Sequence, residues 1–376
     1  MYPKPRCCRR LICLRFACFH SPRIIMQQRS TCSIKRIATA LAPLLVQSAM
    51  AITMGNITVG SSTIELEDSA RSRKLTSEMW YPAEPGAQVQ SFSPLPPLAG
   101  IDVARQASPE ANVGRRPLIV VSHGNWGTRF SQGWFNREMV KAGFVVLSVS
   151  HPGTMNEDQT AAGRLRIWDR ARDVSTALDA VLANPQWSSL IDTNRIGFAG
   201  HSFGGFTGVS LAGGRFDLQR QRSACSNMVS KDLYCQGLLT EDYSKVSIAN
   251  MSDSYLDKRF KAFYIMATGP AQGFTPESLA SIQAPFMVDT AKFDTVLEAK
   301  SNSSALARQI AGATEIVREA GHFDYVPLCR PLVGKLLAPI ICTHTPGVER
   351  SAVHVSAAMA AQKFFTTTFP VAKPGN

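Results

Sequence analysis

The stretch Arg195-Ile196-Gly197-Phe198-Ala199-Gly200-His201-Ser202-Phe203-Gly204-Gly205 decides the fold. An apolar run enters Gly-x-Ser-x-Gly and leaves through small residues toward Val209, Leu211 and Ala212. That pattern reads as a buried strand passing through a very tight turn into a helix. A nucleophilic serine needs such a turn, because its hydroxyl must stand clear of the sheet edge. Glycines two residues away on either side leave room for the neighbouring backbone. The following helix aims its first N–H groups at negative charge developing nearby, so the Phe203 N–H is a candidate oxyanion donor. Ser202 is therefore the expected nucleophile.

On both sides of this turn, strands and helices alternate. Pro117 to Val121 and Phe144 to Val149 are unbroken apolar runs, as expected of central strands covered on both faces. Helices are expected at 131–142, 166–184, 302–311 and 349–365. Further strands are expected at 260–267, 286–289 and 314–318. The segment 52–83 alternates polar and apolar residues and predicts an antiparallel strand pair, whereas the Pro-rich 84–116 reads as a surface excursion. Successive strand–helix units with right-handed crossovers predict a mostly parallel central sheet with helices on both faces. Residues 214–258 interrupt the rhythm and read as a lid-like insertion after the nucleophile helix.

Composition separates a leader from the rest. Residues 1–51 hold nine Lys or Arg and no Asp or Glu. The apolar run Ile37 to Val46 is followed by Ala49-Met50-Ala51, a small-x-small cleavage pattern. The expectation is a secretory signal starting at Met26 and cut after Ala51, with 52–376 as one domain in a secreted or periplasmic protein. Without the leader, the formal charge of +12 falls to about +3, which gives no electrostatic case for nucleic acid. No membrane span is expected in the mature chain. Four cysteines remain, and an even count in an exported chain favours disulfides; of three possible pairings, proximity suggests Cys225–Cys235 and Cys329–Cys342. Neither spacing resembles a zinc site, so no metal and no cofactor are expected.

An activated serine needs a base and an orienting acid, in the chain order Ser, Asp or Glu, His on this kind of sheet. His322, in Ala320-Gly321-His322-Phe323, directly follows a strand and is the candidate base. His344 lies in an irregular stretch, and His354 lies inside the last helix. Asp294 lies beyond the strand 286–289 and is the candidate acid, with Asp289 as its competitor. The loop Ser122-His123-Gly124-Asn125-Trp126-Gly127 closes a central strand, where glycines let a backbone N–H approach a ligand. His123 reads as a brace for this loop.

Four stretches carry a resemblance: Gly200 to Gly205, Ser122-His123-Gly124, Ser150-His151-Pro152-Gly153 and Ala320-Gly321-His322-Phe323. A weaker fifth is Gly273 to Leu279. Together they resemble the bacterial exported α/β-hydrolases described as dienelactone-hydrolase-like, related to the platelet-activating-factor acetylhydrolases. The resemblance implies an α/β-hydrolase fold, carboxylic ester hydrolysis by Ser202, Asp294 and His322, and oxyanion donors at Asn125 and Phe203. Dienelactone hydrolases proper use a cysteine where this chain has Ser202. Trp126, His151 and Phe323 are the expected substrate-lining residues of a small-molecule ester site. A peptidase or amidase on the same fold, and a catalytically inactive binding module, are the alternatives.

Overall fold

Leu118 and Val120 face one apolar core and Ile119 and Val121 face the other, all four almost fully buried. Their strand therefore lies in the middle of a three-layer sandwich. The computed structural model describes residues 57–111, 114–227, 232–240 and 242–369. The expected leader, residues 1–51, lies outside the described residues.

The strands are β1 (Val59–Ile64), β2 (Glu67–Asp68), β3 (Arg73–Lys74), β4 (Ser77–Pro82), β5 (Gln90–Phe92), β6 (Ile101–Arg105), β7 (Arg116–Ser122), β8 (Val145–Val149), β9 (Ile191–His201), β10 (Phe260–Met266), β11 (Phe286–Ala291) and β12 (Thr314–Arg318). Apart from the small β2–β3 ribbon they form one sheet in the order β12-β11-β10-β9-β7-β8-β4-β1-β6-β5. From β12 to β8 every neighbour runs parallel. β4 then pairs antiparallel with both β8 and β1. This is the α/β-hydrolase fold.

Helices Asp169–Ala183 and Phe203–Leu211 bury Val174, Leu178, Phe206 and Val209 in the core beneath Leu118 and Val120. Helices Gly133–Lys141 and Arg350–Thr368 bury Phe135, Met139, Ala357 and Phe365 in the opposite core, against Ile119 and Tyr264. Strand periodicity explains the split: successive residues of β7 point to opposite faces.

The stretch 84–116 differs from the surface excursion expected. Ile101–Arg105 forms β6, parallel to β1, and Val103 is fully buried. Its apolar signal is only Ile101 and Val103 on either side of Asp102, too short to stand out beside the prolines before it. The edge of β1 supplies the partner, and only the folded sheet brings that edge near.

Candidate active site

The chain reverses sharply at the end of β9. Ser202 adopts φ 57°, ψ −117°, a conformation L residues rarely occupy. Surrounding contacts impose it. A Cβ on Gly204 would collide with the carbonyl oxygen of Ser122, so the first turn of the helix lies directly against β7. The Ser202 N–H donates to the carbonyl of Met266 in β10 at 2.9 Å. The serine is thus fixed at the carboxyl ends of three adjacent strands, where ligands bind in open α/β sheets.

Two more loops reach it. His322 opens a short 3₁₀ turn after β12, and its Nε2 lies 3.0 Å from Ser202 Oγ. Its Nδ1 lies 2.7 Å from Oδ2 of Asp294, in the turn after β11. The other carboxylate oxygen, Oδ1, accepts the N–H groups of Val296 and Leu297, each at 2.8 Å. Those two donors fix the carboxylate orientation and leave Oδ2 for the imidazole. Nδ1–H then donates to Asp294, and Nε2 is left to accept from the Ser202 hydroxyl.

Asp289, the competitor for the acid, is fully buried and committed elsewhere. It pairs with Arg318 (2.7 Å) and accepts from the hydroxyls of Tyr264 (2.6 Å) and Tyr325 (2.7 Å). His354 stacks on Trp134 at 4.0 Å and contacts the Val326 carbonyl, so it packs the last helix.

The loop after β7 lies against Ser202. A Cβ on Gly124 would come within 3.0 Å of Ser202 Cβ. Among the described residues no acceptor takes the N–H of Asn125 or of Phe203, so both donors remain free at the turn. His123 braces this loop. Its Nδ1 donates to the carbonyl of Gly124 at 2.6 Å, while its Nε2 accepts the N–H of His151 at 3.3 Å. Burial, and then the charge of Arg170, keep its imidazole well below the ordinary histidine range.

His151 does not line a substrate surface: it is fully buried and belongs to an internal relay. Its Nε2 lies 2.9 Å from Ser122 Oγ and its Nδ1 3.1 Å from Asp173 Oδ2. Burial and the Arg170 charge lower its pKa to about 3, so it is neutral, with Nδ1–H donating to Asp173 and Ser122 O–H donating to Nε2. Burial raises the Asp173 pKa, but the His151 hydrogen bond and the Arg73 charge outweigh it and hold the carboxyl well below its usual range. The trio repeats the residue types around Ser202, yet Ser122 and Asp173 are also fully buried, and a sealed hydroxyl meets no substrate.

Arg170, which the sequence did not single out, braces the loops around this site. Its guanidinium donates to the carbonyl of His123, to Ser122 Oγ (3.2 Å), to Thr154 Oγ1 (2.5 Å) and to Thr207 Oγ1 (3.2 Å). One side chain ties the loop after β7, the loop after β8 and the helix Phe203–Leu211 together. A faint signal existed: Arg170 and Asp173 flank Ala171 and Val174 on the apolar face of an amphipathic helix, where solvated charges do not belong. Desolvation lowers the Arg170 pKa to about 9.

The interruption at 214–258 contributes helices Leu218–Cys225 and Leu233–Thr240, joined by the Cys225–Cys235 disulfide. The Tyr234 ring meets the Phe203 ring edge-on at 5.7 Å, and the Leu233 N–H donates to the carbonyl of Val296 beside Asp294. Trp126 is 55% exposed and Phe323 is half-buried with its ring against His322. The second expected disulfide, Cys329–Cys342, also forms.

Comparison with known proteins gives a consistent outline. No protein-family model matches the chain. Cutinase 2 of Thermobifida cellulosilytica is 31% identical over 103 residues, covering 27% of this chain and 36% of the relative. Cutinase est1 of Thermobifida alba is 32% identical over 103 residues, covering 27% and 32%. The chain thus spans about a third of the length of the curated relatives it matches. A ferulic acid esterase from Streptomyces cinnamoneus superposes with a TM-score of 0.56 at 18% identity, over 83% of this chain and 90% of that one. That likeness shows the α/β-hydrolase fold.

Proposed function

We propose that this chain is a serine carboxylic ester hydrolase working through an acyl-enzyme. The observation that carries the proposal is the unbroken hydrogen-bonded line from Asp294 through His322 to Ser202. The partial likeness to cutinases supports the same reaction class.

In this mechanism His322 Nε2 takes the Ser202 proton as Oγ attacks the ester carbonyl carbon. The carbonyl electron pair moves onto oxygen, which the Asn125 and Phe203 N–H groups stabilise. The intermediate collapses and the alcohol leaves with the proton from His322. Water, deprotonated by the same nitrogen, then attacks the acyl group, and the acid departs as Ser202 regains its proton. Asp294 keeps the imidazole in the required tautomer and stabilises its charged form. No step needs a cofactor.

Substrate choice belongs to the residues around this centre. Trp126 and Phe323 contact the ester, and the 214–258 insertion acts as a lid, a role supported by the contact of Tyr234 with Phe203. The chain is, on this proposal, a member of the exported dienelactone-hydrolase-like group, secreted or periplasmic after cleavage following Ala51. Two disulfides support an oxidising compartment, and no described helix is long and apolar enough to cross a membrane.

The test is p-nitrophenyl ester hydrolysis beside Ser202→Ala, which should lower kcat on the order of 10⁴-fold or more with the fold intact. A fluorophosphonate probe should label the wild type and not the variant. Equal labelling of both removes Ser202 from the mechanism, and turnover of anilides but not esters makes the protein an amidase.

A further inference from the structure

Seven residues after His322 begins the Cys329–Cys342 loop, which contains helices Pro331–Leu337 and Pro339–Cys342. Its outer surface is apolar to an extent unusual for a protein facing only water. Leu332 is 83% exposed, Leu336 79% and Ile340 74%, with Leu328, Val333 and Leu337 exposed around them. Single exposed leucines need no explanation, but a contiguous set marks a surface that meets something.

The exposure does not come from a loose loop. The Leu328 carbonyl accepts the N–H of Ala99 at 2.7 Å, and the Arg330 N–H donates to Pro97. From inside, Arg350 donates to the carbonyls of Pro327 (3.1 Å) and Ile341 (2.7 Å). A Cβ on Gly334 would strike the disulfide, so this side of the helix is pressed onto the staple while the leucines face out. The inner face is anchored three ways and the outer face has no protein partner among the described residues.

Charge identifies the occupant. Between Asp324 and Glu349 the sequence has no carboxylate, while Arg330 and Lys335 are exposed beside the leucines. An apolar helix face flanked by cations is the pattern of an element lying in the interface of an anionic lipid surface.

We propose that the stapled 329–342 loop docks this protein onto anionic lipid surfaces, with Leu332, Leu336 and Ile340 entering the interface and Arg330 and Lys335 meeting the headgroups. This deepens the proposed function by presenting the Ser202 site to esters at a lipid surface, and it rests on that reading only for the catalytic consequence.

The experiment is flotation of the full chain with phosphatidylcholine vesicles, with and without phosphatidylglycerol. Wild type should float with phosphatidylglycerol vesicles and lose binding as salt rises. The triple variant Leu332→Gln, Leu336→Gln, Ile340→Gln should partition at least about tenfold less. The pair Arg330→Gln, Lys335→Gln should cost on the order of tenfold on anionic vesicles only. Both variants should hydrolyse a monomeric water-soluble ester like the wild type. Absence of wild-type binding at low salt overturns the proposal, as does equal binding by the triple variant. A wild-type dimer that the triple variant breaks, without vesicle binding, also overturns it and assigns the face to a second copy. Vesicle binding by a protein that hydrolyses no ester would sink the hydrolase reading and leave the docking surface standing.

Discussion

His201 Nε2 donates a hydrogen bond to the main-chain carbonyl of His322 at 3.0 Å. The residue just before Ser202 therefore carries the turn that presents the imidazole to it, and the two histidine rings lie 4.9 Å apart. Burial, and next the neighbouring His322, keep the His201 imidazole well below its ordinary range, so it acts as a neutral donor.

Loss of this brace should be felt in kcat. His201→Ala removes the donor and frees the His322 turn to drift, and a displacement of about 1 Å is worth on the order of 10²-fold in rate. His201→Gln, which can still donate, should recover part of it. Steady-state kinetics on a p-nitrophenyl ester decide the matter; a drop in KM-limited binding alone would speak against a positioning role.

The two aspartates should separate cleanly. Asp294→Asn should lower kcat on the order of 10⁴-fold at nearly unchanged stability, because the carboxylate sets the His322 tautomer. Asp289→Asn should leave Arg318 without its buried partner and cost about 3 kcal/mol, with kcat reduced far less. Urea denaturation beside the kinetics tests both, and the reverse pattern would make Asp289 the acid.

Both staples close short loops, with sequence separations of 10 and 13. On the chain-entropy model each contributes about 3 kcal/mol. Cys329→Ser with Cys342→Ser should lower stability by about that amount and reduce kcat, since Arg350 links this loop to Asp324 in the His322 turn. Loss of the Cys225–Cys235 pair should cost a similar amount of stability and, unlike loss of the first, change preference among esters of graded acyl length. Thermal unfolding and an ester panel measure the two effects.

Acid should unfold the protein early. His123, His151 and His201 are all buried with pKa values held below the ordinary 6.5. As pH falls through 6.5 the unfolded chain takes up protons that the folded chain refuses. Stability is thus complete above that value and is lost toward the folded values, near 3 for His151, by about 1.4 kcal/mol per pH unit for each histidine. Urea midpoints between about pH 7 and about pH 5 should fall accordingly. Flat midpoints would mean these histidines take up protons in the folded protein as readily as in the unfolded chain.

The turn at Ser202 was legible in the chain because its requirement is local. A Cβ on Gly200 would strike the carbonyl of Gly204, four residues on, so the turn itself demands glycine there whatever the rest of the protein does. The strands β7 and β8 were legible for a related reason: apolar residues in unbroken succession need cover on both faces. Proximity in sequence also suggested the two cysteine pairs, because short loops close readily.

Tertiary structure alone decided what meets what across the sheet. Asp289 and Asp294 are five residues apart and chemically identical. Only the presence of Arg318 and two tyrosines beside one, and of His322 beside the other, distinguishes them. His151 follows a strand much as His322 does, yet it is fully buried and its ring meets Ser122, whereas that of His322 meets Ser202. The strand β6 likewise awaited the edge of β1. A tight turn that its own neighbours in sequence demand can be read from the chain. A side chain's partner is set by long-range packing, which brings together residues as distant as Ser202 and His322 and becomes visible only once the sheet has formed.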